Sequence, residues 1–301
     1  MMQEISEGLH LEHNHRHTHA IKLGAPKFIR AIIKTVLLSL VGLALLVGFS
    51  SVVWVAAWHG EVQYKIGQLY EDGSKLIPQN YAKAFAWYGD AAAKGDINAQ
   101  LKLAEMHAKG QGVHQDLEQA FVVYRSLADQ GHDVAQYKLG EMYLSGQGVA
   151  QNIVKGLDLL QKSANLDNVE AAFALGKIYS KGFGEDAEEQ NILSDVGVVY
   201  HNMDEGVSQN AQRSAAWYMQ AAMQGHAEAQ SALGMMYFEG KGVTRNDFTA
   251  YILEAIAAAR GSVKAPIFRN QVMGSLSQDQ IVAAQPLIDN WVVGQPVIFA
   301  E

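Results

Sequence analysis

Fourteen residues are spelled nearly twice: LGEMYLSGQGVAQN, Leu139 to Asn152, and LGMMYFEGKGVTRN, Leu233 to Asn246, agree at eight positions. Sliding the chain along itself recovers LAEMHAKGQGVHQD at Leu103, LGKIYSKGFG at Leu175 and the looser IGQLYEDG at Ile66. Gly67, Ala104, Gly140 and Gly176 are separated by 37, 36 and 36 positions, and Gly234 follows after 58. A second block repeats in step: AFAWYGDAAAKGDINAQ from Ala84, AFVVYRSLADQGHDVAQ from Ala120, SAAWYMQAAMQGHAEAQ from Ser214. Self-similarity at this period predicts a solenoid of about five helix pairs, because one such unit cannot bury its apolar face alone.

Each unit reads as two helices and two turns. In the first helix Ala99, Leu103, Met106 and His107 recur at helical spacing, as do Ala135, Leu139, Met142 and Tyr143, which gives an apolar stripe toward a neighbouring helix. A Gly or Ala after the Leu removes bulk where helices cross. The turn carries Gly110, Gly112 and Val113, whose glycines permit the positive φ that ends a helix and whose valine plugs the loop into the core. Asp116 stands at an N-cap position, and the second helix, with Ala84, Trp87, Tyr88, Ala91 and Ala92, stops at Gly95.

This pattern, A-x-x-x-L-G-x-x-Y-x-x-G-x-G-V, a polar cap, A-x-x-W-Y, A-A-x-x-G and A-Q, resembles the Sel-one-like repeat family, a branch of the tetratricopeptide-like helical repeats. The resemblance covers about residues 61 to 262. It implies an all-α, right-handed α-solenoid, and it implies protein binding rather than a reaction, since members of the family are mostly adaptors in signalling, envelope assembly and quality control.

Three departures stand out. Asp167 replaces the glycine found at Gly95, Gly131 and Gly225, so the turn there is expected to be altered. The first unit lacks the G-x-G-V turn, as expected of a worn end repeat. The fourth unit carries some twenty-two extra residues, Glu185 to Gly206, with seven acids and no Lys or Arg. Within them Ile192, Val196, Val199 and Met203, joined by Leu193 and Tyr200, are spaced by three and four, which predicts a short amphipathic helix that either covers a neighbouring repeat or docks a partner.

Before the repeats, Thr35 to Trp58 hold no charged residue over twenty-four positions. At about 1.5 Å per residue such a helix exceeds the roughly 30 Å hydrocarbon core of a bilayer. Lys22, Lys27, Arg30 and Lys34 precede it, and Glu61, Glu71 and Asp72 offset Lys65 and Lys75 beyond it. The positive-inside bias places the N-terminus in the cytoplasm and the rest outside, as expected for a single-pass protein of a bacterial inner membrane with its bulk in the periplasm. A cleaved signal peptide is the alternative, with Val55, Ala56 and Ala57 as the cleavage site, but the apolar run is longer than such signals use. The expected organisation is a His-rich cytoplasmic tail (1–30), a transmembrane helix (31–58), the solenoid (59–262) and C-terminal capping helices with a tail (263–301). In the last part Ser277 and Gln280 form a capping box and Leu276 and Ile281 a hydrophobic staple, so a helix starts at Gln278 and runs toward Val293, kinked at Pro286, ahead of an extended GQPVIFAE.

Composition narrows the chemistry. The 301 residues are 49% hydrophobic and 18% charged, with no cysteine, which removes disulfides, thiolate metal sites and a cysteine nucleophile. Net charge is −8, and the first 34 residues hold five Lys/Arg against three acids, so of the 23 basic and 31 acidic residues the remainder holds eighteen and twenty-eight. An acidic body argues against a nucleic-acid partner. His10, His13, His15, His17 and His19 could chelate a metal, but no closed ligand spacing is present, and a solvated polar tail is the preferred reading. His132 and His226 share one repeat slot and read as ordinary repeat residues. No nucleophile elbow, P-loop, H-E-x-x-H or dinucleotide fingerprint occurs, so neither a catalytic residue nor a cofactor is assigned. The expectation is a membrane-anchored scaffold that grips another membrane or periplasmic protein, with the bilayer contacted through residues 35–58. Candidate contacts are Gln68, Glu105, Glu141, Lys177 and Met235, in variable slots of the first helices, and Ile192, Val196 and Tyr200 of the insertion. The alternatives are an accessory subunit of a larger inner-membrane complex and a metal-handling or enzymatic protein using the His-rich tail.

Overall fold

The structure, a computed structural model, describes residues 51–181 and 210–296. The chain divides into Met1–Gly60 and Glu61–Glu301, and the repeats lie in the second unit. Twelve helices and no strand occur among the described residues. Five hairpins come first: α1 (Ser51–Asp72) with α2 (Tyr81–Ala92), α3 (Ile97–Lys109) with α4 (Leu117–Asp129), α5 (Asp133–Ser145) with α6 (Ile153–Asn165), α7 (Val169–Lys181) with α8 (Ala211–Met223), and α9 (Ala227–Glu239) with α10 (Asp247–Ala259). Two further helices follow, α11 (Ala265–Met273) and α12 (Gln278–Asn290). From α3 to α11 each helix packs on the one before it, and α10 is covered by both α11 and α12.

One hydrogen bond closes every hairpin. The N–H of the residue capping the second helix donates to a carbonyl near the end of the first: Asn80 to Tyr70 (2.7 Å), Asp116 to His107 (2.9 Å), Asn152 to Tyr143 (2.8 Å), Asn210 to Tyr179 (2.8 Å) and Asn246 to Tyr237 (3.0 Å). The same caps accept a backbone N–H with their side chains, as Asp116 does from Gln119 at 2.8 Å, which satisfies a donor the helix start cannot pair internally. The closure survives both the worn first unit and the insertion. Whatever the intervening residues do, α7 and α8 meet as any other hairpin does.

The second glycine of the G-x-G-V turn has two reasons to be glycine. Gly148 takes φ +70°, and a Cβ there would fall 2.5 Å from the Leu117 carbonyl oxygen. Gly112 and Gly242 press equally on the backbone at Tyr81 and Ala211, the starts of the preceding second helices. The turn of one repeat therefore seats on the previous one, and alanines buried to 0% at positions 84, 120, 164, 221 and 257 let the helices close in. Gln230, wholly buried, donates to the Ala222 carbonyl at 3.0 Å and ties α9 to α8.

One expectation is corrected. Asp167 does not alter its turn: it adopts φ +62°, alone among non-glycines of the described residues, and its N–H donates to Ala164 at 3.0 Å just as Gly95 donates to Ala92 at 2.9 Å. The carboxylate side chain tolerates the left-handed region at modest cost. In the expected capping region, the first helix keeps part of the repeat geometry. Gly261 keeps φ +96°, Ser262 falls in the slot of Asp96, and Ala265 and Val272 fall in the slots of Ala99 and Met106 and are buried as those are. Helix α11 is thus a sixth, shortened first helix.

The C-terminal helix begins as its sequence predicts, with the reciprocal Ser277–Gln280 capping box, and continues through Pro286 to Asn290. Leu276 and Ile281 pack on the core. Trp291 is buried under the Arg260 guanidinium, 4.8 Å above its ring, and the Gly294 N–H donates to Met223 at 2.8 Å. The predicted transmembrane segment lies outside the described residues up to position 50, and among the described residues no helix is long and apolar enough to cross a membrane.

Candidate protein-interaction surface

The first helices carry a row of slots one position after the crossing glycine or alanine: Gln68, Glu105, Glu141, Lys177 and Met235. The structure places them on α1, α3, α5, α7 and α9 in that order. Gln68 donates to the Tyr64 hydroxyl at 3.2 Å. Glu105 pairs with Lys102 at 3.3 Å and Lys109 at 2.5 Å. Glu141 accepts from the Tyr137 hydroxyl at 2.6 Å and pairs with Lys138 at 2.9 Å. The Lys177 ammonium lies 5.7 Å from the centre of the Phe173 ring, and Met235 is half-buried. Ile192, Val196 and Tyr200 lie outside the described residues, as does the whole insertion 185–206 and the His-rich tail.

Of that row Glu105 lines an opening. A cleft of about 220 Å³ is bounded by Tyr64 of α1, by Asn98, Leu101, Lys102 and Glu105 of α3, by Val134 and Lys138 of α5, and by Tyr124 of α4. The sequence reading missed the others, although the signal was within reach: Tyr64 and Leu101, and Lys102 and Lys138, stand four and three residues before the chosen row, on the same helical face.

The rim is electrically closed. Lys102 bridges Glu71 of α1 at 2.9 Å to Glu105 on its own helix, linking two repeats, and Glu71 also accepts the Tyr88 hydroxyl. Burial would lower the Lys102 ammonium, but its hydrogen bond to Glu71 and the charges of Glu105 and Glu71 raise it above its ordinary value. Burial would likewise raise the Glu105 carboxyl, and Lys109 and Lys102 outweigh it and hold it low. Both stay charged at neutral pH. No group of three or more metal-ligating side chains occurs among the described residues.

Comparison with known sequences agrees with this architecture. The Sel1 repeat profile matches residues 60–96, 97–132, 133–168, 169–192, 193–226 and 227–262. The chain belongs to the Sel1 repeat family. The fourth and fifth matched segments each hold one helix of the hairpin α7–α8 and meet inside the insertion, so six matches correspond to five hairpins. Sel1 repeat proteins are scaffolds for protein interaction. A Sel1 repeat protein from Oxalobacter formigenes is 30% identical, with a TM-score of 0.57 over 73% of this chain and 57% of that one. The protective antigen c5321 of uropathogenic Escherichia coli, with an SLR fold, is 24% identical (TM-score 0.39, 76% and 60% covered). The immunity protein PA5088 of Pseudomonas aeruginosa is 19% identical (TM-score 0.47, 77% and 80% covered). This chain therefore spans less than two thirds of the first two proteins, and no curated protein matches it.

Proposed function

We propose that this Sel1 repeat protein is a scaffold that holds another protein of the bacterial envelope against its first-helix face. Residues 35–58 anchor it in the inner membrane, and the solenoid stands on the periplasmic side. The observation that carries the binding role is the open cleft between α1, α3 and α5, apolar within and lined by paired charges. The anchor rests on the charge-free run and its basic N-terminal flank. Glu105 touches the partner directly, Gln68, Glu141, Lys177 and Met235 extend the contact along the repeats, and Ile192, Val196 and Tyr200 add a second docking element.

Crosslinking followed by pulldown from detergent-solubilised membranes tests the reading. A stoichiometric protein partner is the expected result, and bound metal without any partner would overturn it in favour of the His-rich tail. Deleting 185–206 should reduce capture, and unchanged capture removes the insertion from the contact. A fusion reporter at the C-terminus should be active only outside the cytoplasm.

A further inference from the structure

We propose that the cleft seats a tyrosine side chain of the bound protein and that the Tyr124 hydroxyl is its hydrogen-bond partner; this rests on the binding role above and specifies it. One slot of the second helices is held by Tyr88, Tyr124, Leu160, Tyr218 and Glu254. Tyr88 donates to Glu71, and Tyr218 shares a hydrogen bond with Ser180. Both rings lie over a glycine: a Cβ on Gly67 would come within 2.5 Å of Tyr88 Cε1, and one on Gly176 within 2.5 Å of Tyr218 Cδ1.

The second repeat lacks both halves of this arrangement. Ala104 stands where Gly67 and Gly176 stand, so a methyl occupies the ring's seat, and Ala108 stands where Glu71 and Ser180 supply a polar partner. Tyr124 is consequently the one tyrosine of this slot that lines the cleft. It is only 4% exposed, and its hydroxyl has no hydrogen-bond partner among the described residues. Burial, then the carboxylates of Glu105 and Glu141, raise its ionisation well above the ordinary phenol range, so it stays a neutral donor.

The lining selects the occupant. A carboxylate would meet Glu105, a cation would meet Lys102 and Lys138, and each of these is already paired, so the cleft favours an uncharged group. Tyr64, Leu101 and Val134 offer ring and aliphatic walls for a flat apolar body. An occupant without a polar tip would seal the Tyr124 hydroxyl away from water unsatisfied, a penalty that a hydroxyl-bearing ring avoids. Asn98, at the exposed edge, is placed to bond the occupant's main chain.

The test titrates the full-length protein with N-acetyl-tyrosinamide, N-acetyl-phenylalaninamide, N-acetyl-lysinamide and the corresponding glutamate amide, following the Leu101 and Val134 methyl resonances by NMR. Tyrosinamide should shift both and bind tightest. Tyr124→Phe, which removes a hydroxyl that no other residue uses, should weaken tyrosinamide by about 2- to 12-fold and leave phenylalaninamide unchanged. Val134→Trp, at a position 40% exposed, should fill the cleft and abolish the shift of the remaining Leu101 reporter. Absent shifts, equal affinity for the tyrosine and phenylalanine amides, or preference for a charged amide would each overturn the assignment. A protein that still captures its crosslinked partner but ignores tyrosinamide defeats the pocket and spares the scaffold, whereas tyrosinamide binding without any protein capture does the reverse.

Discussion

Helices α4 and α10 occupy the same place in their repeats and meet opposite fates. In α4 the buried residues are Ala120, Tyr124, Leu127 and Ala128, one stripe of an otherwise solvated helix. In α10 every residue from Phe248 to Ala257 is buried, because α11 and α12 cover the side that α4 leaves open. Each helix carries a polar group in the shared second-helix slot. Tyr124 ends at an open cleft, and Glu254 is sealed beside Ser231 and Gly234, 0% exposed, with the Ser231 hydroxyl donating to Oε2 at 2.8 Å and no partner for Oε1 among the described residues. A repeat slot fixes where a side chain sits; the next helix decides whether that position faces water.

Uncapping the closed end should produce the largest change. Trp291→Ala removes a buried indole, its contact with Arg260 and its hydrogen bond to the Pro296 carbonyl at 3.2 Å. A cost of about 3–5 kcal/mol is expected in urea unfolding. Hydrogen exchange should show the α10 amides losing protection more than those of α4, and uniform loss would mean that the cap does not act locally.

The second test uses pH to separate the two ends. Burial raises the Glu254 carboxyl from 4.5 to about 8, and the Ser231 hydrogen bond only partly opposes it. The folded chain therefore keeps a proton that the unfolded chain gives up near its ordinary value. The stability this proton provides is complete below about pH 4.5, falls as pH rises, and is lost once pH passes about 8. By pH 7 the loss amounts to about 3 kcal/mol. Glu254→Gln should be more stable than the parent at pH 7 and should flatten the unfolding midpoint between pH 5 and 8. A midpoint that still falls equally in the variant would assign the dependence elsewhere. Tyr124, whose phenol ionises far above this window, contributes none of it.

The contrast also marks what the sequence could convey. Period, caps, crossing glycines and the capping box at Ser277 are local, each fixed by a residue and its neighbours within about one turn, and the structure follows them. Asp167 escaped because a non-glycine in a left-handed turn is uncommon, though the turn's hydrogen bonds favoured it. Helix α11 escaped because only Gly261, Ser262, Ala265 and Val272 keep the pattern while the exposed positions drift. The cleft was half legible. Glu105 was found through slot variability, but Tyr124 could be identified only by asking what Ala104 and Ala108 do to the tyrosine packed against them, a relation between two helices rather than along one.

Within the open end, Tyr88 and Tyr124 give a sharper version of the same comparison. Tyr88→Phe breaks the hydrogen bond to Glu71 and should cost about 1 kcal/mol or somewhat more, since the acceptor is charged and linked on to Lys102. Tyr124→Phe should lie within about 0.5 kcal/mol of the parent, because no protein partner is lost. Thermal unfolding of both variants at one pH reads the difference, and equal destabilisation would mean that the Tyr124 hydroxyl is satisfied within the fold.

A comparably small effect is expected at the turn that sequence reading expected to be altered. Asp167→Gly should stabilise by about 0.5–1 kcal/mol, because relieving a left-handed non-glycine outweighs the added freedom of the unfolded chain. The reverse change at Gly131, which has φ +88° and open space where a Cβ would go, should destabilise by a similar amount as Gly131→Asp. If Asp167→Gly instead loses stability, the aspartate side chain is holding its turn rather than being tolerated in it, and the two turns would no longer be equivalent solutions to the same backbone problem.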